Sequence, residues 1–280
     1  MLNPKEFLYF YRIVNWENKI SGVRPIGYTF LAYLMAGRFE FLPIFLNTLA
    51  IFGALTFCYS LNDYFDWKIQ KERNFLANKI QQGKLTERQA LIYCFFPLIF
   101  FLSLFFVDSK VAILLFLIGF LLIVFYSLPP IRFKQRKFWG FVIPPLGVVA
   151  LFLQGYSVLG TLNLNVLLLT VLIFLFQCYL ETFHIIEDSL VKEEIKKISN
   201  PKRILNLLKG LPLSSLIISL GFAFFNPIFL ISSFFSSVRI AALRKFKIED
   251  IRKIRRNIFL PHWSLYEFGI YGILGALHLF

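Results

Sequence analysis

The stretch VAILLFLIGFLLIVFYSLPPIRFK, Val111 to Lys134, decides the fold class. It opens with a run free of charge and close to the roughly 20 apolar residues that a membrane-crossing helix needs. Pro129-Pro130 then stops the helix and holds an extended backbone, and Arg132 and Lys134 follow where a polar layer would begin. Comparable apolar runs fall near residues 24–37, 41–61, 90–107, 111–128, 138–155, 163–183, 204–224, 227–243 and 258–278. In lipid, a segment of this length satisfies its own backbone only as a helix. The predicted architecture is therefore all-α: a bundle of about nine transmembrane helices in a single membrane domain spanning 1–280.

Composition agrees. Hydrophobic residues make up 58% of the chain and mean hydropathy is +0.67, whereas soluble domains hold about 45–50% apolar residues. The 36 Phe are partly lipid-facing filler, so aromatic content by itself marks no binding site. Cys58, Cys94 and Cys178 lie inside apolar runs without metal-ligand spacing and read as small buried hydrophobes. Lys5, Arg12 and Lys19 interrupt any cleavable signal pattern, and residues 5–20 read as an amphipathic interfacial helix.

The net charge of +14 is sorted by side. With the N-terminus inside, 28 of the 30 Lys and Arg fall in inner segments, leaving only Arg38 and Lys110 outside. The positive-inside rule then predicts an integral membrane protein with a cytoplasmic N-terminus and an outer C-terminus. Topology and anionic lipid account for the charge, and no nucleic-acid partner is needed.

Two acidic helix ends carry the chemistry. Asn62-Asp63 closes the second apolar run, with Asp66 and Gln70 following; Asp63, Asp66 and Gln70 at i, i+3 and i+7 are expected on one helical face. The sixth run ends in the same spacing, Glu181, His184 and Asp188, with Glu187 beside them. Carboxylates at a membrane boundary suit Mg²⁺, which takes a few carboxylates plus waters and phosphate oxygens. His184 is a poor Mg²⁺ ligand and reads equally as a phosphate donor, a base or a headgroup-level residue. In the turn Tyr126-Ser127-Leu128-Pro129-Pro130-Ile131-Arg132-Phe133-Lys134, Arg132 can grip phosphate through two donors and Lys134 as a point charge.

At these residues the chain resembles the UbiA superfamily of intramembrane prenyltransferases. Asn62-Asp63-x-x-Asp66 is similar to the family's first Asp-rich motif, and Tyr126-Ser127-x-Pro129-Pro130-x-Arg132-x-Lys134 is similar to its Tyr-Ser-x-Pro-Pro-x-Arg-x-Lys motif. Arg24-Pro25 and Gly83-Lys84-Leu85-Thr86 also fit the pattern. The chain departs from it at Gln70 and His184, where the family carries Asp, and at Asn74 to Lys79, where a phosphate-binding Arg and two prolines are missing.

The resemblance implies Mg²⁺-dependent transfer of a prenyl group from a polyprenyl diphosphate to a small-molecule acceptor, aromatic or otherwise, at the cytoplasmic face. It places Asp63, Asp66, Glu181 and Asp188 as metal-binding catalytic residues, and Asn62, Tyr126, Arg132, Lys134, His184 and Arg24 around the substrate. Tyr126 and Tyr64 are candidates to stabilise the allylic cation through their ring faces. Asp66, Glu187 and His184 are candidate bases for the acceptor. Two further readings are a catalytically weakened isoprenoid-binding relative and a transferase acting on a polyprenyl phosphate. A transporter is disfavoured because the charged residues are expected at one face, with none in the middle of the membrane.

Overall fold

The computed structural model describes residues 2–14, 25–71, 74–191, 201–244 and 261–279. Its helices are α1 (Pro4–Phe10), α2 (Ile26–Met35), α3 (Phe41–Phe65), α4 (Phe75–Gln81), α5 (Glu87–Phe95), α6 (Lys110–Ser127), α7 (Lys137–Leu159), α8 (Leu164–Val191), α9 (Pro201–Ala223), α10 (Leu230–Leu243) and α11 (Pro261–Ala276). No strand occurs among the described residues. A π-helical turn, Asp66–Gln70, continues α3, and a 3₁₀ segment, Phe96–Phe106, continues α5.

Each apolar run coincides with a helical segment, yet the segments differ in reach. Among the described residues six are long and apolar enough to cross a membrane: Phe41–Gln70, Glu87–Phe106, Lys110–Ser127, Phe138–Leu159, Leu164–Ile186 and Ile204–Ala223. The remaining apolar helices, Ile26–Met35, Pro227–Leu243 and α11, are shorter. Helix α2 is short because Gly37, at φ +66°, takes the left-handed conformation that ends helices, its N–H bonded to the Leu34 carbonyl. Large apolar side chains face outward, Phe224 at 92% exposure and Phe105 at 84%, as expected where lipid is the solvent. These features make the chain an integral membrane protein.

Polar side chains cap the starts of four helices. The Asn3 and Glu6 side chains form a capping box on α1, and Thr86 with Gln89 does the same for α5. Asn74 accepts from the Ala77 N–H at the head of α4, and Ser109 accepts from Ala112 at the head of α6.

Helix α7 is the hub, packing against α2, α3, α6 and α8, while α9 packs on α8, α10 on α9, and α11 on α2. Amide pairs also fasten the helices: Asn47 donates to Gln154 at 3.1 Å and to the Tyr33 hydroxyl at 2.6 Å, tying α3 to α7 and α2. Inside a membrane such bonds are worth about 1 kcal/mol each.

Arg239, read from sequence as an inner-loop charge, is instead buried in α10 and paired with Glu267 of α11. Ser232 donates to Glu267 at 2.8 Å, and the guanidinium lies 4.6 Å from the Phe176 ring centre. The inner-loop reading of Arg239 is therefore corrected. Burial is possible because the pair is neutral overall and hydrogen-bonded on both sides.

Candidate active site

The C-terminal end of α3 brings the first motif to a point. Asp63 and Asp66 are buried at 4% and 5% exposure. The Asp66 carboxylate accepts from Arg132 Nη2 at 2.9 Å, from Lys134 Nζ, and from Asn62 Nδ2 at 2.9 Å. Asn62 Oδ1 in turn accepts from Ser127 Oγ at 2.8 Å and Lys134 Nζ at 3.2 Å. Two motifs more than 60 residues apart thus close on one cluster.

The turn that delivers the cations departs from ordinary backbone. Arg132 has φ +36°, a left-handed conformation that costs a non-glycine residue about 1–2 kcal/mol. Such strain persists where surrounding contacts over-determine it, often at functional sites. Arg132 is 4% exposed, and its Nε and Nη1 have no hydrogen-bond partner among the described residues. Two buried, unsatisfied guanidinium nitrogens beside a carboxylate cluster suit an anion with several oxygens. Gly140, at the start of α7, permits this turn: a Cβ there would lie 2.9 Å from the Lys134 carbonyl oxygen.

Asp63 is held differently. Arg12, beyond the end of α1, donates through Nε to Oδ2 at 3.0 Å and through Nη2 to Oδ1. Asn74 Nδ2 donates to the Asp63 backbone carbonyl at 2.8 Å. Segment α1 is anchored by Phe10 and Tyr11 in a buried cluster with Tyr64, Phe75, Leu76, Leu85, Ala90 and Cys94. It is also anchored by Lys79 Nζ on Glu6 at 2.6 Å. Lys79 and the Asn3 N–H hold the Glu6 carboxyl down to about 2.

Below the cluster lies a cavity of about 250 Å³ between α3, α6, α7 and α8, with Pro25 at its edge. Its walls include Cys58 and Tyr59 of α3, Ile123 and Tyr126 of α6, Pro144 and Pro145 of α7, and Gln177 and Glu181 of α8. The adjacent prolines remove two ladder hydrogen bonds inside α7.

Not every expected residue joins this site. Gln70 is exposed while Asp63 and Asp66 are buried, because the π turn breaks the 100° step assumed for Asp63, Asp66 and Gln70. Tyr64 points away, its hydroxyl donating to Glu87 at 2.8 Å. Tyr59 takes its place: at i−4 from Asp63 it lies on the Asp63 and Asp66 face, a spacing legible in the sequence. Arg12 was read only as a topology charge, and no local signal linked it to Asp63. Glu181 lines the cavity and is half-buried, whereas His184 is exposed. Asp188 falls on α8, with its side chain outside the described residues, and Arg24 lies outside them entirely.

The donors suit a hard divalent cation, since Asp63, Asp66, Asn62 and Glu181 all offer oxygen. Among the described residues no three His, Cys, Asp or Glu side chains gather into a ready-made metal cage. That fits Mg²⁺ held by one or two carboxylates, with phosphate oxygens and water completing its shell.

The described residues thus form an all-helical bundle in which acidic and basic groups cluster near an apolar cavity. Residues 26–265 match the model of the UbiA prenyltransferase family. The chain belongs to that family, whose members are prenyltransferases. No curated protein matches it. Among solved structures it is similar to a UbiA homologue from Archaeoglobus fulgidus bound to GPP and Mg²⁺, at 16% identity and TM-score 0.63 over 98% of this chain and 97% of that one. The same homologue bound to DMAPP and Mg²⁺ gives 17% identity and TM-score 0.61 over 92% and 96%. A digeranylgeranylglyceryl phosphate synthase gives 19% identity and TM-score 0.69 over 98% and 99%.

Proposed function

We propose that the chain is a Mg²⁺-dependent prenyltransferase that moves a prenyl group from a polyprenyl diphosphate to a small-molecule acceptor at the cytoplasmic face. One observation carries this reading. The Asn62-Asp63-x-x-Asp66 end of α3 and the Arg132/Lys134 turn meet beside an apolar cavity that Glu181 enters from α8. The relatives solved with GPP or DMAPP and Mg²⁺ support the choice of substrate class.

In this reading Asp63, Asp66, Glu181 and Asp188 hold the metal, and Asn62, Arg24, Arg132, Lys134 and His184 face the diphosphate. When bound, Mg²⁺ supplies Lewis-acid neutralisation of the leaving group. Arg132 and Lys134 add fixed positive charge where negative charge develops as the C–O bond breaks. The Arg132 nitrogens without protein partners have the most to gain from phosphate oxygens. The cavity walls keep water from the allylic cation, and Tyr59 and Tyr126 offer ring faces to it. Asp66 is occupied by two cations, which leaves His184 and Glu187 as the candidates for deprotonating the acceptor.

The test is incubation of membranes containing the protein with labelled geranylgeranyl diphosphate and Mg²⁺ across a panel of acceptors. Panel members would include quinone precursors, a glycerol phosphate, a tetrapyrrole and a haem. Transfer to one acceptor, lost on chelation, is the expected result. Tight binding of the diphosphate without release of pyrophosphate from any mixture would favour the isoprenoid-binding reading instead.

A further inference from the structure

The two first-motif carboxylates are neutralised in unlike ways. Asp66 is served by buried Arg132 and partly buried Lys134, from a turn held by the packing of α6 and α7. Asp63 is served by Arg12, whose side chain is 35% exposed and stands at the end of a 7-residue helix. Arg12 has φ +51°, so its backbone is bent into the left-handed region to bring the guanidinium round to Asp63. Its two-pronged contact engages both Asp63 oxygens, so a divalent cation reaching that carboxylate must displace it. The guanidinium carbon also lies 5.9 Å from the ring centre of Tyr59, which lines the cavity, so a displaced Arg12 has the site beside it.

We propose that Arg12 is a binding residue of the diphosphate site that acts by exchange. It neutralises Asp63 in the unliganded protein and moves to phosphate oxygens when a divalent cation takes the carboxylate. This rests on the reading of the site as a metal–diphosphate centre. The charge logic is direct. A diphosphate with one divalent cation still carries net negative charge, and a guanidinium freed from Asp63 is a second nearby group, beside Arg132, able to pair with it in a two-pronged geometry. Residues 2–14 thereby become a strap whose hold on α3 depends on what the site contains.

The test uses the purified full chain in lipid nanodiscs, as wild type, Arg12→Gln and Arg12→Lys, with Mn²⁺ followed by electron paramagnetic resonance. Removing the competing cation should let R12Q bind Mn²⁺ alone about ten-fold more tightly, and bind pyrophosphate in the presence of Mn²⁺ about ten-fold more weakly. R12K should fall between on both. In the wild type, hydrogen exchange of the α1 amides should rise with Mn²⁺ alone and return when pyrophosphate is added. This last readout needs no variant to fold. If wild type binds Mn²⁺ and pyrophosphate while R12Q alters neither, or weakens both, the exchange is overturned and the function reading stands. Unchanged α1 exchange under both conditions also overturns it. If wild type binds no pyrophosphate at any Mn²⁺ concentration, the diphosphate-site reading itself fails and the exchange fails with it.

Discussion

Asp63 and Asp66 sit one helical turn apart, yet their loss should be felt differently. Asp66 balances buried Arg132 and partly buried Lys134, and truncating one partner of a buried ion pair costs about 3–5 kcal/mol. Asp63 faces Arg12, which can relax into water, so Asp63→Ala should cost on the order of 1 kcal/mol. Both variants should insert into membranes and lose Mg²⁺-dependent pyrophosphate release. Asp66→Ala alone should show a marked fall in melting temperature in detergent. Equal melting with full turnover in both would remove the metal assignment. A second contrast separates two tyrosines. Tyr59→Leu should lower turnover about ten- to thirty-fold, the scale of a desolvated cation–π contact. Tyr64→Leu should cost about 1 kcal/mol of stability through its lost bond to Glu87 and leave turnover per folded molecule intact. Thermal melts beside single-turnover assays distinguish the two. The sequence held the means to choose Tyr59, because residues four apart share a helical face. It held none for Arg12, since a contact between residues 51 apart has no local signature.

At the scale of elements, the site depends on how α3 ends and how α7 begins. The π turn Asp66–Gln70 lets Asp66 stay buried while Gln70 reaches solvent. Helical periodicity assumes a constant step, so the exposure of Gln70 was not legible from spacing. Gly140 holds the other side, and Gly140→Val should force the turn carrying Lys134 away from Asn62 and Asp66. Pyrophosphate affinity should then fall while the helix content seen by circular dichroism is retained; unchanged affinity would show that the turn tolerates the displacement. The link between α1 and α4 carries a pH dependence. Glu6 is held at about 2, below its ordinary 4.5. A depressed carboxyl contributes its full stabilisation above the ordinary value and loses it as pH falls toward the depressed one. The protection of the α1 amides, with exchange corrected for its intrinsic pH dependence, should therefore be constant above about pH 4.5 and fall from there down to about pH 2. Protection lost on raising the pH instead would contradict the pairing with Lys79.

Across the whole molecule, long uncharged runs made the all-helical membrane class readable, because few other structures satisfy so much backbone in lipid. What the runs could not give is how many of them reach from side to side. Helix α2 stops at Gly37, and Arg239 lies within a helix rather than in a loop, as only packing against Glu267 explains. Orientation is the property of the whole chain that remains open to a direct test. Lys84 and Lys110 are both exposed and flank the Glu87–Phe106 segment, whose 20 residues qualify it as a span. Charge sorting places Lys84 inside and Lys110 outside. Cys58, Cys94 and Cys178 are buried, so a membrane-impermeant maleimide has little native background. Lys110→Cys should react in intact cells, and Lys84→Cys only after the membrane is opened or inverted. Reaction of both from one side would mean that this segment re-enters rather than crosses. It would also remove the charge argument that puts the Asp63 and Asp66 cluster at the inner face.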